Sequence, residues 1–407
     1  RIISKERCTR SSYQKVGGQL MTKAADLANL IGNVDLSSTT NSFKTLSNLN
    51  DGGGLTNRNV LINGAMNVAQ RATSASGLGG SGTYDGVNTC DRWATYFNTS
   101  GALTQSQDSS APSGFANSLK FDCTTADTSI ATNEYVFLAQ RIEGQNLQSF
   151  AKGTSDAKPF AVSFYVKGNA SATYVCELQD IDNTRQISKT FTVGTDWSRV
   201  ELSFPADTTG AFDDDTARSF DFRIWLHAGS IYTSGTINSS AWAADDNANR
   251  LGSGITSFLD STDRTFFLTG VQLEIGQNFT EFEHEPFERT LEKCERYFTR
   301  INAKGSVASY NCFPFSGFCR SSTLAQFPIH WNQPMRSVPT MSYAGASTFG
   351  VLDSSGSTNA VSNISTSRTT EIASVADWTS SGLSAGNGTR LVANNTADAF
   401  IDADAEL

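Results

Sequence analysis

Arg264-Thr265-Phe266-Phe267-Leu268-Thr269-Gly270-Val271-Gln272-Leu273-Glu274 is the stretch from which the fold is read. At period two, Phe267, Thr269, Val271 and Leu273 project one way, and Phe266, Leu268, Gly270 and Gln272 the other. Apolar groups on both faces predict a central strand covered on both sides. Ile275-Gly276-Gln277-Asn278 then signals a turn, before the aromatic segment Phe279–Phe287. One strand has no stability of its own, so the residues before it must supply its partners.

Working outward, the partners are legible. Pro159–Gly168 alternates most clearly, with Phe160, Val162, Phe164 and Val166 on one face. Tyr174–Gln179, Trp197–Phe204 and Phe220–Leu226 follow. In the last, Phe220, Phe222, Ile224 and Leu226 oppose Arg223, Trp225 and His227. Upstream lie Ser118–Asp122, Tyr135–Ile142, and a strand opened by Cys90-Asp91-Arg92-Trp93 that runs to Phe97. Val60, Leu61 and Ile62 predict a short strand before the turn pair Asn63-Gly64, and the Gly/Ser-rich Thr73–Gly86 reads as a loop. Short strands joined by polar loops predict a two-sheet antiparallel sandwich of jelly-roll type.

Phe287–Phe298 reads as a helix, placed as a hinge: Leu291, Cys294, Tyr297 and Phe298 share a face. Beyond it the chain is Ser/Thr/Asn/Ala-rich, with short strands around Phe349–Leu352 and Thr389–Val392. So few large apolar residues predict a thin core, easier to stabilise against copies of itself than alone. At the other end, Met21–Gly32 reads as a short helix with Ala24, Leu27, Ala28 and Ile31 on one face. A helix that short needs a partner. Residues 1–20 read as an upstream leader, and Asn33–Leu55 as a polar connector.

The expected architecture is therefore mainly β. A short N-terminal helix (within 1–57) precedes a central antiparallel jelly-roll β-sandwich (58–289). A short linking helix and a smaller C-terminal β domain (290–407) follow.

Composition narrows the function. The chain of 407 residues carries 17% charged residues, a net charge of −9 and no basic run, which argues against a nucleic-acid partner. No apolar stretch approaches the ~20 residues of a bilayer crossing, and the first residues lack the apolar region of a signal peptide. The odd, scattered set Cys8, Cys90, Cys123, Cys176, Cys294, Cys312 and Cys319 predicts small buried thiols in a reducing cytoplasm.

Several segments together carry a family resemblance. They are Asn59-Val60-Leu61-Ile62-Asn63-Gly64-Ala65-Met66, Asp91-Arg92-Trp93, Gln140-Arg141-Ile142-Glu143-Gly144, Phe164-Tyr165-Val166-Lys167 and Phe267–Glu274. With Cys294-Glu295-Arg296-Tyr297-Phe298 and Pro334-Met335-Arg336-Ser337-Val338-Pro339-Thr340, their order along residues 58–345 resembles bacteriophage tail-fibre and tail-spike proteins. The resemblance implies a homotrimeric virion fibre with a carbohydrate-binding-like jelly roll, made in the host cytoplasm and mounted on a tail or other appendage. It also implies an N-terminal attachment to other virion proteins and a distal tip for host contact. Leu27, Leu30 and Ile31 are then the candidate contacts for attachment or trimerisation. The chain is short and lacks long shaft repeats.

Little in the sequence points to catalysis. His227, His284 and His330 form no zinc-spaced motif, and neither a nucleophile elbow nor a phosphate loop occurs. No catalytic residue, metal or cofactor is expected. Glu281-Phe282-Glu283-His284-Glu285 and Asp213-Asp214-Asp215 read as solvated acidic loops, with calcium as the alternative. Sugar recognition by aromatic stacking is the chemistry expected, with Trp225, Trp242, Trp331 and Trp378 as candidates. Trp378 leads, because Asp377-Trp378-Thr379-Ser380 reads as a polar loop of the tip. The expected function is adsorption to a host surface glycan without cleavage. A structural virion adaptor and a glycan-degrading spike are the alternatives.

Overall fold

A computed structural model describes residues 56–80, 83–303, 310–354 and 356–407. The helix expected at Met21–Gly32, with Leu27, Leu30 and Ile31, lies outside the described residues.

In chain order the first strands are β1 (Ser74–Gly79), β2 (Thr83–Val87), β3 (Ala94–Asn98), β4 (Ala102–Asp108), β5 (Ser118–Thr125), β6 (Tyr135–Glu143), β7 (Phe160–Gly168) and β8 (Ala172–Asp180). Next come β9 (Arg185–Val193), β10 (Ser198–Phe204), β11 (Arg218–Ala228), the one-turn helix α1 (Ser230–Thr233), β12 (Ala243–Ala244), β13 (Thr265–Ile275) and helix α2 (Phe287–Glu295). The last are β14 (Phe298–Asn302), β15 (Cys312–Ser321), β16 (Leu324–His330), β17 (Thr340–Tyr343), β18 (Phe349–Asp353), β19 (Thr358–Thr369), β20 (Ala373–Ser380), β21 (Gly388–Ala393) and β22 (Phe400–Asp404).

Two antiparallel sheets face each other, ordered β1-β4-β5-β13-β7-β10 and β12-β9-β8-β11-β6-β3-β2. The chain passes repeatedly from one to the other, and the apolar faces of both meet in one core running from Leu61 to Leu273. β13 lies between β5 and β7, buried on both faces. Its alternation is not uniform. The pairing with β7 shifts between Thr269 and Gln272, and Gly270 has φ +61°. This bulge advances the pleat by one residue, so Phe266 and Leu268 share the core with Val271 and Leu273. The strict period-two grouping of Phe267 with Val271 is thereby corrected. A Cβ on Gly270 would also lie 2.7 Å from the Phe115 ring.

Val60–Ile62 is not a strand. Residues 59–64 form a turn laid across β13 where the bulge leaves backbone groups unpaired. Val60 N donates to Leu273 O (2.9 Å), Val271 N donates to Gly64 O (3.0 Å), and Asn59 Nδ2 donates to Val271 O (2.9 Å). Gly64 is required by close approach, since a Cβ there would stand 2.1 Å from Val271 O. Gln140, buried at the end of the core, accepts from Ile62 N and donates to Ile62 O. Trp93 Nε1 donates to Asn63 O. Segments scattered in sequence thus form one hydrogen-bonded plug. Thr73–Gly86, read as a loop, contains β1 and β2, because edge strands tolerate glycine and need less apolar surface.

After α2 the chain builds a three-stranded sheet, β14-β22-β17, and a closed barrel, β15-β16-β20-β19-β18-β21. The barrel has a substantial core of its own, with Phe313, Phe327, Phe349, Val351, Trp378 and Leu391 buried. The thin-core expectation is corrected: closure pairs every strand on both sides and directs the few large residues inward. The hinge is also a clamp. Arg296 donates to Glu143 through Nε (2.9 Å) and Nη2 (2.8 Å), Tyr297 Oη donates to the same carboxylate, and Gln70 Nε2 donates to Phe298 O (2.7 Å). Burial opposes ionisation of Glu143, yet these hydrogen bonds hold it below the usual carboxylate range.

Candidate functional site

The seven-stranded sheet turns one face to the core, and its other face is not an ordinary solvated surface. Tyr96 on β3 pairs with Phe137 on β6, Phe137 with Trp225 on β11, and Trp225 with Val175 on β8, making one rung across four strands. Tyr96 and Phe137 stack at 4.9 Å and 15°, and Phe137 meets Trp225 at 4.5 Å. The adjacent rung is Ala94, Ala139, Arg223 and Glu177. Arg223 joins Asp221 (2.7 Å) to Glu177 (3.5 Å), Trp225 Nε1 donates to Glu177 (2.6 Å), and Arg250 pairs with Glu177. Burial works against the Asp221 charge, but the guanidinium groups of Arg223 and Arg218 keep it below the usual range.

The excursion between β11 and β13 covers the Trp225 end of this face, where Tyr232 and Leu251 pack on the indole. The Tyr96 end stays open as a cleft of about 460 Å³ against the chain's last strand. It is lined by Arg71, Arg92, Arg141, Asp404 and Glu406, with the nearly buried Tyr96 and Ala94 beneath them in the sheet. The Arg141 guanidinium lies 4.8 Å over the Tyr96 ring. Arg92 stacks on Tyr297 at 3.4 Å, donates to Arg141 O (2.6 Å) and pairs with Glu406. Arg71 pairs with Asp404 (2.9 Å) and with Glu406 (3.5 Å). Behind the wall, burial pushes Asp91 up to about 6, partly offset by hydrogen bonds from Gln70. Planar guanidinium groups and carboxylates lining one cleft can exchange hydrogen bonds with a polyhydroxylated ligand.

The tryptophans expected to stack on sugar are elsewhere. Trp378 stands on β20, not in a loop, and is fully buried against Phe349 (4.8 Å), Tyr343 and Phe327. Trp331 packs in the same core. Trp242 closes the end of the sandwich core against Phe160 and donates to Pro205 O (2.8 Å). None of the three offers a ring face to a ligand. Trp225 does lie on the candidate face. Tyr96, Phe137, Arg141 and Glu406 were missed as site residues, although the odd positions of β6 and β11 carried the signal. Glu283 serves the fold, accepting from the backbone N–H groups of Asn57, Arg58 and Asn59. Among the described residues, five cysteines are buried and Cys312 is exposed.

A second cluster went unread. Asp127, Glu134 and His227, all buried, bring their ligand atoms within 4.8 Å of one another at the far end of the sheet. No sequence spacing announces it, because β6 to β11 intervene.

No family model and no curated protein sequence matches the chain. Similar solved structures include the enzymatically active domain of tailspike protein 4 from bacteriophage CBA120 (10% identity, TM-score 0.27), matched over 53% of this chain and 21% of that one. A family 11 carbohydrate-binding module from Clostridium thermocellum, in complex with a mixed-linked tetrasaccharide, matches at 13% identity and TM-score 0.25, over 50% of this chain and 96% of its own. A family 61 module in complex with β-1,4-galactotriose matches at 9% identity and TM-score 0.26, over 54% and 99%.

Proposed function

We propose that this chain is a non-enzymatic virion fibre protein that adsorbs to a host surface glycan through the cleft at Tyr96. One observation carries the reading. Three arginines and two carboxylates line one cleft beside Tyr96 on the outer face of the seven-stranded sheet. Such groups suit sugar hydroxyls, and an open cleft suits a chain passing through it. Both carboxylates of the cleft are held in place by arginines, Asp404 by Arg71 and Glu406 by Arg71 and Arg92. The sequence resemblance supplies the virion context. Homotrimerisation fits weak sites that gain by effective concentration.

The test is binding of the purified chain to host polysaccharide, with Arg141→Ala beside the wild type. We expect the variant to lose about tenfold or more in affinity, about 1.4 kcal/mol, with its circular dichroism unchanged. No reducing ends should be released by either protein. Equal binding by the variant would remove the cleft from the reading, and released reducing ends would remove the non-enzymatic part. Sedimentation as a folded monomer would remove the trimer.

A further inference from the structure

The cluster at the opposite end of the sheet has a charge problem. Asp127 accepts from Thr99 Oγ1 (2.8 Å), Ser100 N (3.2 Å) and Ser129 N (3.3 Å), and Glu134 accepts from Ala131 N (2.8 Å) and Ser100 Oγ (3.3 Å). Among the described residues, no lysine or arginine forms an ion pair with either group; His227 alone does, with Nε2 3.7 Å from Glu134 Oε2. That separation is too long for a hydrogen bond, and the fully buried Nε2 has no hydrogen-bond partner. Two buried carboxylates and an unpartnered imidazole nitrogen aimed at them form a costly arrangement unless a cation joins them.

We infer that Asp127, Glu134 and His227 bind one divalent transition-metal ion, with zinc as the fitting probe. Nitrogen with two carboxylate oxygens is a zinc-type donor set, whereas calcium takes oxygen ligands almost exclusively. With metal–ligand distances of about 2.1 Å in tetrahedral geometry, two ligands of one ion lie about 3.4 Å apart. The ligand atoms, within 4.8 Å of one another, would close by up to about 1.4 Å around the ion. The supporting groups are in place. Ser257 Oγ stands 2.7 Å from Nδ1, and the tautomer that donates to it leaves the lone pair on Nε2. Ser257 Oγ also accepts from Leu259 N (3.0 Å), and Asp127 N donates to Leu259 O (2.7 Å). The ion would tie the β5–β6 loop to the end of β11 and so pin one end of the sandwich.

The test uses the full chain without a histidine tag, stripped with chelator and titrated with zinc chloride by calorimetry, alongside thermal melts. We expect one zinc per chain and a higher melting temperature with zinc. Glu134→Gln and His227→Gln should each weaken binding at least tenfold, while the exposed His330→Ala leaves it unchanged. If His227→Gln does not fold, cobalt reports instead: a visible d–d band in the wild type that Glu134→Gln weakens supports the site. No saturable zinc binding by the wild type, binding that survives both substitutions, or calcium bound there in preference to zinc would each overturn the inference.

Discussion

Both the sandwich and the barrel fill their cores with aromatic residues, but the sandwich also sets a row of them on the outer face of one sheet. In the barrel, Trp378 and Phe349 point inward, and every strand is paired on both sides. In the seven-stranded sheet, Tyr96, Phe137 and Trp225 point away from the main core, among arginines and carboxylates. A closed sheet has one inner face and gives its large residues to it. An open sheet packed on a second sheet has a face to spare. The proposed binding surface therefore lies on the module with the larger core, while the module that carries Trp378 uses it for stability.

The largest expected effect breaks or sharpens this contrast directly. Trp378→Ala should cost about 3–5 kcal/mol in urea denaturation, with glycan binding by the folded fraction unchanged. A loss below about 1 kcal/mol would mean that the barrel does not depend on its central indole. Next comes pH. The Asp91 pKa is raised from 3.8 to about 6 in the folded chain. The fold therefore holds a proton that the unfolded chain has released, and this contribution to stability, complete below about pH 4, is lost as pH rises through 6. At about 1.4 kcal/mol per tenfold in proton affinity it amounts to about 3 kcal/mol. Melts across that range should show the loss in the wild type and a flatter profile in Asp91→Asn. Gly270→Ala should cost about 1–3 kcal/mol, because it strains a left-handed residue and meets Phe115. An unchanged denaturation midpoint would deny the bulge its role. Smallest of all, Ile372→Thr on the exposed outside of the barrel should change stability by less than about 0.5 kcal/mol and leave binding intact.

Much of the fold was legible because strand burial is a local signal. β7, β11 and β13 announce themselves through alternating apolar residues, and Phe287–Glu295 is a helix. β1 and β2 were illegible because edge strands bury little, and β4 and β9 were passed over. The site was less legible than the fold. Trp225 and Arg223 could be placed on one face of β11, but nothing local says that Tyr96 and Phe137 stand beside them.

By itself, then, the sequence determined a chain of antiparallel strands, which residues of most strands are sheltered, and the absence of any spaced catalytic motif. Tertiary structure alone decided that Arg92, Arg141 and Glu406 line one cleft with Tyr96, that Asp127 and Glu134 meet His227, and that Trp378 is enclosed. The reason is physical. Periodicity reports which side of a strand avoids water, whereas strand order and closure, set by long-range pairing, decide what each side faces.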